Sequence, residues 1–222
     1  MAKSNSLFDI MGPIMIGPSS SHTAGACRIA KTARMLAGKN FYKIEFYLHG
    51  SFAETYKGHG TDKALLAGAL GMDPDDERLR KSFEIANDKK LEYAFYKEDL
   101  GDVHPNTVKI VMYNKDNTYN SIIGSSVGGG SIEIININGM DINFTDEYPT
   151  LILKYYDTTG IIAFVSGIIS EKGYNIESIK TTKVDNLVAL IMEFDRNLED
   201  YLYDEIKSYD KFLFSKNIKK YS

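Results

Sequence analysis

Thr150-Leu151-Ile152-Leu153-Lys154-Tyr155-Tyr156-Asp157, followed by Thr158-Thr159-Gly160 and an apolar-faced run ending at Lys172-Gly173, is the stretch that decides the fold. The first eight residues read as a strand. Gly160 to Lys172 reads as a helix carrying Ile161, Phe164, Val165, Ile168 and Ile169, with Gly173 as its C-terminal stop. Two further strands, Asn175 to Val184 and Leu187 to Phe194, are joined across Asp185-Asn186, a pair suited to a tight turn. Leu198 to Tyr209 supplies a second helix with Leu202 and Ile206 facing inward, and Phe212 to Lys216 a last short strand. Strand, helix, strand, strand, helix, strand is the ferredoxin-like βαββαβ order. Pro149 opens this pattern, so residues 147–222 are expected to form a domain separate from residues 1–146.

Working back toward the N-terminus, the earlier domain reads as α/β, making the whole chain α/β (α+β). Phe41 to Leu48 alternates, with Ile44, Phe46 and Leu48 on one side and Lys43 and Glu45 on the other. Thr61 to Ala69 reads as a short helix ending at Gly71, and Met72 to Asp76 and Asn87 to Lys90 as charged turns. Leu91 to Lys97 and Thr107 to Tyr113 read as strands around a loop that carries His104 and Pro105. Ser121 to Ser126 and Ser131 to Asn138 form a last pair through Gly128, Gly129 and Gly130. That loop suits close approach of a ligand or a neighbouring subunit, and it equally suits a plain hairpin connection.

With 222 residues, 43% hydrophobic and 25% charged, the chain is an ordinary globular protein with material for two cores. Its net charge of -4 and the lack of a basic stripe interleaved with aromatics argue against a nucleic-acid partner. No apolar run approaches the roughly 20 residues a membrane span needs, and the N-terminus shows no signal-peptide core, so a cytoplasmic protein without a membrane partner is expected. The chain has one cysteine, Cys27, which rules out an intrachain disulfide. Cys27 falls at helical spacing with Ala24, Ala30 and Ala33 and reads as a small buried hydrophobe. No metal site is expected in this chain.

The chemistry-bearing stretch is Gly17-Pro18-Ser19-Ser20-Ser21-His22-Thr23-Ala24-Gly25-Ala26, which sets hydroxyls and an imidazole ahead of a helix running to about Ala37. Such a helix start is either a simple cap or an anion site with outward amides. Ser19, Ser20, Ser21 and Thr23, with Gly128, Gly129 and Gly130, are the candidate substrate-binding residues. All four histidines, His22, His49, His59 and His104, lie beside Gly, Ser or Pro in loop-like segments. There each is either an ordinary surface histidine or a proton-transfer group.

The same stretch, extended through Phe8-Asp9-Ile10-Met11-Gly12-Pro13 and Cys27-Arg28-Ile29-Ala30, resembles the beta subunit of the iron-sulfur-dependent L-serine dehydratases. The resemblance continues in Leu48-His49-Gly50-Ser51, Gly58-His59-Gly60-Thr61-Asp62, Val103-His104-Pro105-Asn106 and Gly124-Ser125-Ser126-Val127-Gly128-Gly129-Gly130-Ser131. It implies a beta chain that works with an alpha subunit to convert L-serine to pyruvate and ammonia without pyridoxal phosphate. A unique iron of a [4Fe-4S] cluster would act as Lewis acid, and a base would remove the Cα proton. Such a cluster normally needs three or four thiolates, so the resemblance places it on the partner alpha chain and makes this chain inactive alone. His59 is then the expected base or proton relay, His22 a residue that holds a carboxylate or orients a loop, and His104 part of a mobile loop closing the site.

The segment Tyr156-Asp157-Thr158-Thr159-Gly160-Ile161-Ile162, with Val165, Asn175-Ile176 and Thr181-Thr182, resembles an ACT domain. Its expected ligand positions are Asp157, Thr159, Gly160 and Ile161. A module used only for homodimerisation fits the same pattern, because a fold does not fix function. The front half also resembles the allosteric substrate-binding domain of some 3-phosphoglycerate dehydrogenases, so a stand-alone amino-acid sensor and a purely structural assembly partner stand as alternative readings.

Overall fold

The structure is a computed structural model that describes Met15, Gly17 and residues 19–220; the Phe8 to Pro13 run and Pro18 lie outside the described residues. The chain divides into two compact units, Met1–Gly139 and Met140–Ser222.

In the first unit a π-helical turn, Ser20–Gly25, leads into α1 (Ala26–Ala37). Ser19 has extended backbone and caps the turn. Strand β1 (Phe41–Leu48) follows at the expected bounds, then α2 (Gly50–Thr55), α3 (Thr61–Leu70), a 3-10 turn (Glu77–Lys81) and α4 (Ser82–Asp88). The strands are β2 (Glu92–Lys97), β3 (Thr107–Asn114), β4 (Tyr119–Gly128) and β5 (Ser131–Ile137), in the order β2-β1-β3-β4-β5. β1 pairs with β2 in parallel and with β3 antiparallel. Parallel neighbours need a long crossover, and the helical segment between β1 and β2 supplies it.

α1 and α3 pack closely because Gly68 has no side chain: a Cβ there would lie 2.1 Å from the Cys27 carbonyl oxygen. Ile29, Phe46, Leu48, Leu65, Ile110 and Ile122 are fully buried. Each such side chain contributes about 1.5 to 3 kcal/mol on leaving water.

The second unit begins with β6 (Met140–Thr145) and continues with β7 (Thr150–Tyr156), α5 (Ile161–Glu171), β8 (Ile176–Val184), β9 (Leu187–Phe194), α6 (Asp200–Lys207) and β10 (Phe212–Ile218). Its sheet order β10-β7-β9-β8, with antiparallel pairing throughout, is the ferredoxin-like arrangement expected of an ACT domain. Ile161, Val165 and Ile169 of α5 meet Leu202 and Ile206 of α6 in one core.

Several local readings are corrected. Phe164 is 37% exposed and stacks on Tyr209 with centroids 4.4 Å apart, because the sheet covers only the Ile161-Val165-Ile169 stripe. Glu45 lies on the open face of β1 yet is buried, since the hydroxyls of Tyr47 and Tyr113 both donate to its Oε2, at 2.8 and 2.7 Å. α2, α4 and β6 went unread in the sequence because each is only six or seven residues long, too short for periodicity to show. No helix among the described residues is long and apolar enough to cross a membrane.

Candidate functional site

Three of the motifs meet at the start of α1. Ser19 Oγ accepts from the backbone N–H of His22 at 3.3 Å, and the Ser19 carbonyl accepts from the Thr23 N–H at 2.9 Å. Two of the amides expected to face outward are therefore already paired. The turn projects His22 toward α2, where its Nε2 lies 3.1 Å from Ser51 Oγ and its ring 5.4 Å edge-on from the buried Phe52. The other ring nitrogen, Nδ1, is 3.3 Å from Ser19 Oγ. His59, in the turn between α2 and α3, lies 4.8 Å from His22 between ring centroids at 82°. His59 is exposed and His22 half-buried.

Gly50 lets α2 start where it does. Its φ is 52°, and a Cβ would sit 2.7 Å from the Pro105 carbonyl oxygen, so the Val103-His104-Pro105-Asn106 loop packs directly on the Ser51 turn. The loop is tied further by Phe52 N–H to Pro105 O, His49 N–H to Thr107 O and Ser126 N–H to Asn106 O. The Thr107 hydroxyl donates to the His104 carbonyl at 2.5 Å and lies 2.7 Å from Ser125 Oγ. Ser126 in turn sits against Gly25, where a Cβ would be 2.0 Å from its Oγ.

Burial lowers the pKa of His22 first, and the charge of His59 second, while a hydrogen bond to the Ser51 backbone works the other way. The net direction is downward, so His22 is neutral at neutral pH. Thr23, Thr61 and Ser126 are buried with hydroxyl oxygens that have no hydrogen-bond partner among the described residues.

The other expected residues are placed as follows. Ser20 and Ser21 sit half-buried in the π turn. The His104 imidazole is exposed, and its Nδ1 accepts from Asn106 N–H at 3.1 Å, within its own loop. His49 Nδ1 accepts from Leu100 N–H at 3.1 Å. Gly128, Gly129 and Gly130 form the β4–β5 connection with φ of 111°, 60° and 84°, and the Gly130 carbonyl accepts from Arg28 Nη1 at 2.9 Å. In the second unit the Asp157 carboxylate is ion-paired with Lys183, Thr159 and Gly160 are exposed, and the Ile161 side chain is in the core.

A [4Fe-4S] cluster does not fit the donors of this chain. Cys27 is fully buried, its thiol donates to the Met72 carbonyl at 3.4 Å, and burial above all pushes its pKa up to about 12. A cysteine binds iron as its thiolate, and such clusters are held mainly by several of them. Among the described residues no three His, Cys, Asp or Glu side chains are grouped to hold a metal ion.

Sequence reasoning missed Ser51 as a partner of His22, although the Leu48-His49-Gly50-Ser51 motif marked its neighbourhood. It also missed a cavity of about 620 Å³ on the opposite, open face of the sheet, lined by Tyr47, Lys109, Val111, Tyr113, Tyr119 and Ser121 among others. Strand register builds it: small Val111 and Ser121 are paired in the floor, and taller residues stand two positions away on either side.

Taken together, fold and site define a two-unit α/β protein with a histidine–hydroxyl centre on its first unit and a ferredoxin-like second unit. The family model described as serine dehydratase beta chain matches residues 6–90. Over 216 residues the chain is 48% identical to the L-serine dehydratase beta chain of Peptoniphilus asaccharolyticus, covering 96% of this chain and 97% of that one. The probable L-serine dehydratase beta chain of Bacillus subtilis is 41% identical over 92% of this chain and 93% of its own. This chain belongs to the L-serine dehydratase beta-chain family. It is also 30% identical to L-serine dehydratase 1 of Escherichia coli, covering 85% of this chain but 47% of that longer one. Among solved structures, the ACT domain from GTP pyrophosphokinase of Chlorobium tepidum aligns over 32% of this chain and 95% of its own, with 18% identity and a TM-score of 0.28.

Proposed function

We propose that this chain is the beta subunit of a two-chain L-serine dehydratase, deaminating L-serine to pyruvate and ammonia with an alpha subunit that carries a [4Fe-4S] cluster. The observation that carries the reading is the pairing of His22 with His59, from two separate motifs, on a chain with near full-length identity to such beta chains. The E. coli relative, about twice as long, supports a companion that supplies what this chain lacks.

On this reading His59 takes the Cα proton. It is exposed, flanked by glycines and edge-on to His22. Ser20, Ser21 and Thr23 hold the serine carboxylate with Ser19 behind them against His22, Gly128 to Gly130 line the same site, and His104 lies on the loop that closes over it. The cluster, held by the alpha chain, supplies Lewis-acid activation of the leaving hydroxyl. The second unit, taken from residue 147, is an ACT domain that binds an amino acid through Asp157, Thr159, Gly160 and Ile161 and pairs with a second copy. The complex works in the cytoplasm.

The test is anaerobic co-expression with the cysteine-rich companion chain and an assay of pyruvate from L-serine. Activity is expected in the pair and absent from this chain alone. Full turnover by the isolated chain, or none by an iron-loaded pair, would overturn the proposal.

A further inference from the structure

Ser51 has no task in the reaction as proposed, yet it makes the closest polar contact to the His22 ring. The ring is capped at both nitrogens: Nε2 lies 3.1 Å from Ser51 Oγ and Nδ1 lies 3.3 Å from Ser19 Oγ. The Ser19 hydroxyl favours one arrangement of the protons. Ser19 Oγ already accepts the His22 backbone N–H, which leaves its own hydrogen free to point into the Nδ1 lone pair. A neutral imidazole has one N–H and one lone pair, so an accepting Nδ1 puts the hydrogen on Nε2. Ser51 agrees with this from the other side. The Ser51 hydroxyl oxygen, 3.1 Å from Nε2, has lone pairs to accept that hydrogen.

We infer that Ser51 is a positioning residue: it accepts from Nε2–H of His22, fixes that tautomer edge-on to His59, and leaves His59 as the imidazole of the pair whose ring makes no hydrogen bond among the described residues. The Ser51 hydroxyl is itself held in place, since α2 begins at Gly50 against Pro105 and the Thr55 hydroxyl ties back to the Ser51 carbonyl at 2.8 Å. His22 then offers the substrate no free lone pair and acts through His59. The inference rests on the reading that the pair serves proton removal from serine.

Two measurements test it. Long-range proton–nitrogen correlation spectra of the full chain with labelled histidine are expected to show His22 as the Nε2–H tautomer. Ser51→Ala should turn that single tautomer into a mixture, and Ser51→Thr should restore it. An Nδ1–H tautomer in the unaltered chain, or an unchanged spectrum in Ser51→Ala, overturns the inference. If Ser51→Ala does not fold, Ser19→Ala removes the donor to Nδ1 and is expected to give the same mixture; no change there overturns it too. In the reconstituted pair, Ser51→Ala should lower kcat on the order of 10- to 100-fold with KM within about twofold, and Ser51→Thr should recover it. An altered tautomer with unaltered kcat removes the role in the reaction. An inactive unaltered pair would instead sink the proposed function, while the spectra still decide for Ser51.

Discussion

His59 lies edge-on to His22, their ring centroids 4.8 Å apart and their planes at 82°. Burial first, and the neighbouring His59 second, push the His22 pKa down and favour its neutral form. The pH consequence has a definite sign. The folded chain holds the His22 pKa below its ordinary value of 6.5, so in that window the unfolded chain binds more protons and stability rises with pH. The contribution is present above 6.5 and is lost as pH falls from there through the lower folded value. Urea midpoints of the first unit are therefore expected to drop as pH falls below 6.5, and His22→Asn should flatten that slope. An unchanged slope in the variant would assign the effect elsewhere.

The same pair predicts a kinetic asymmetry. In the reconstituted complex His59→Ala should lower turnover by roughly 100-fold or more, the range of a lost general base, with serine binding little changed. His104→Ala should act more weakly, because its ring hydrogen-bonds its own loop through Asn106. Steady-state pyruvate formation decides it: equal losses in both variants would remove the distinction between base and loop residue.

Much of this arrangement was legible in the sequence. The βαββαβ order could be read because its helices carry apolar stripes and its turns carry Gly160, Gly173 and Asp185-Asn186. β1 could be read because Ile44, Phe46 and Leu48 alternate with polar residues. The contact between His22 and Ser51 could not, since it joins segments 29 residues apart through a helix of six residues that shows no periodicity. Glu45 was legible only as a polar residue on the outer face. Its burial depends on two tyrosines, one of them 68 residues away.

That buried carboxylate yields its own prediction. Burial alone would raise the Glu45 pKa, but hydrogen bonds from Lys43, Tyr113 and Tyr47 outweigh it, and the net direction is downward. Stability from Glu45 is thus present above its ordinary value of 4.5 and lost as pH falls through the folded value. Glu45→Gln should cost about 1 to 3 kcal/mol at neutral pH, because two phenol donors lose a charged acceptor. The deficit should shrink in acid, where the native carboxyl also becomes neutral. Chemical denaturation of both forms across that range is the check, and a constant deficit would mean lost packing instead of lost charge.

Two helical glycines should respond in opposite directions. Gly68 sits 2.1 Å, measured from an ideal Cβ, from the Cys27 carbonyl, and a backbone atom cannot swing aside. Gly68→Ala is expected to destabilise the first unit by about 1 to 3 kcal/mol or more as α1 and α3 are forced apart. Gly167 in α5 has open space around its Cβ position, so Gly167→Ala should stabilise the second unit by roughly 0.5 to 1 kcal/mol through helix propensity. Denaturation midpoints of the two variants read both signs, and stabilisation by Gly68→Ala would refute the close helix contact.

Cys27 separates the two chains of the proposed enzyme experimentally. Its thiol is sealed between α1 and the turn after α3 and held near pKa 12, so almost none of it is thiolate at pH 8. A thiol-reactive dye should leave the native chain unlabelled at that pH and label it once urea is added. Cys27→Ala removes only a small buried group, at a cost of about 1 kcal/mol, and the iron and sulfide content of the reconstituted pair should stay the same. A pair that folds but loses its cluster would return a ligand to this chain. Such a result would require α1 to open far enough to expose Cys27 and would contradict the packing of Gly68 against its backbone.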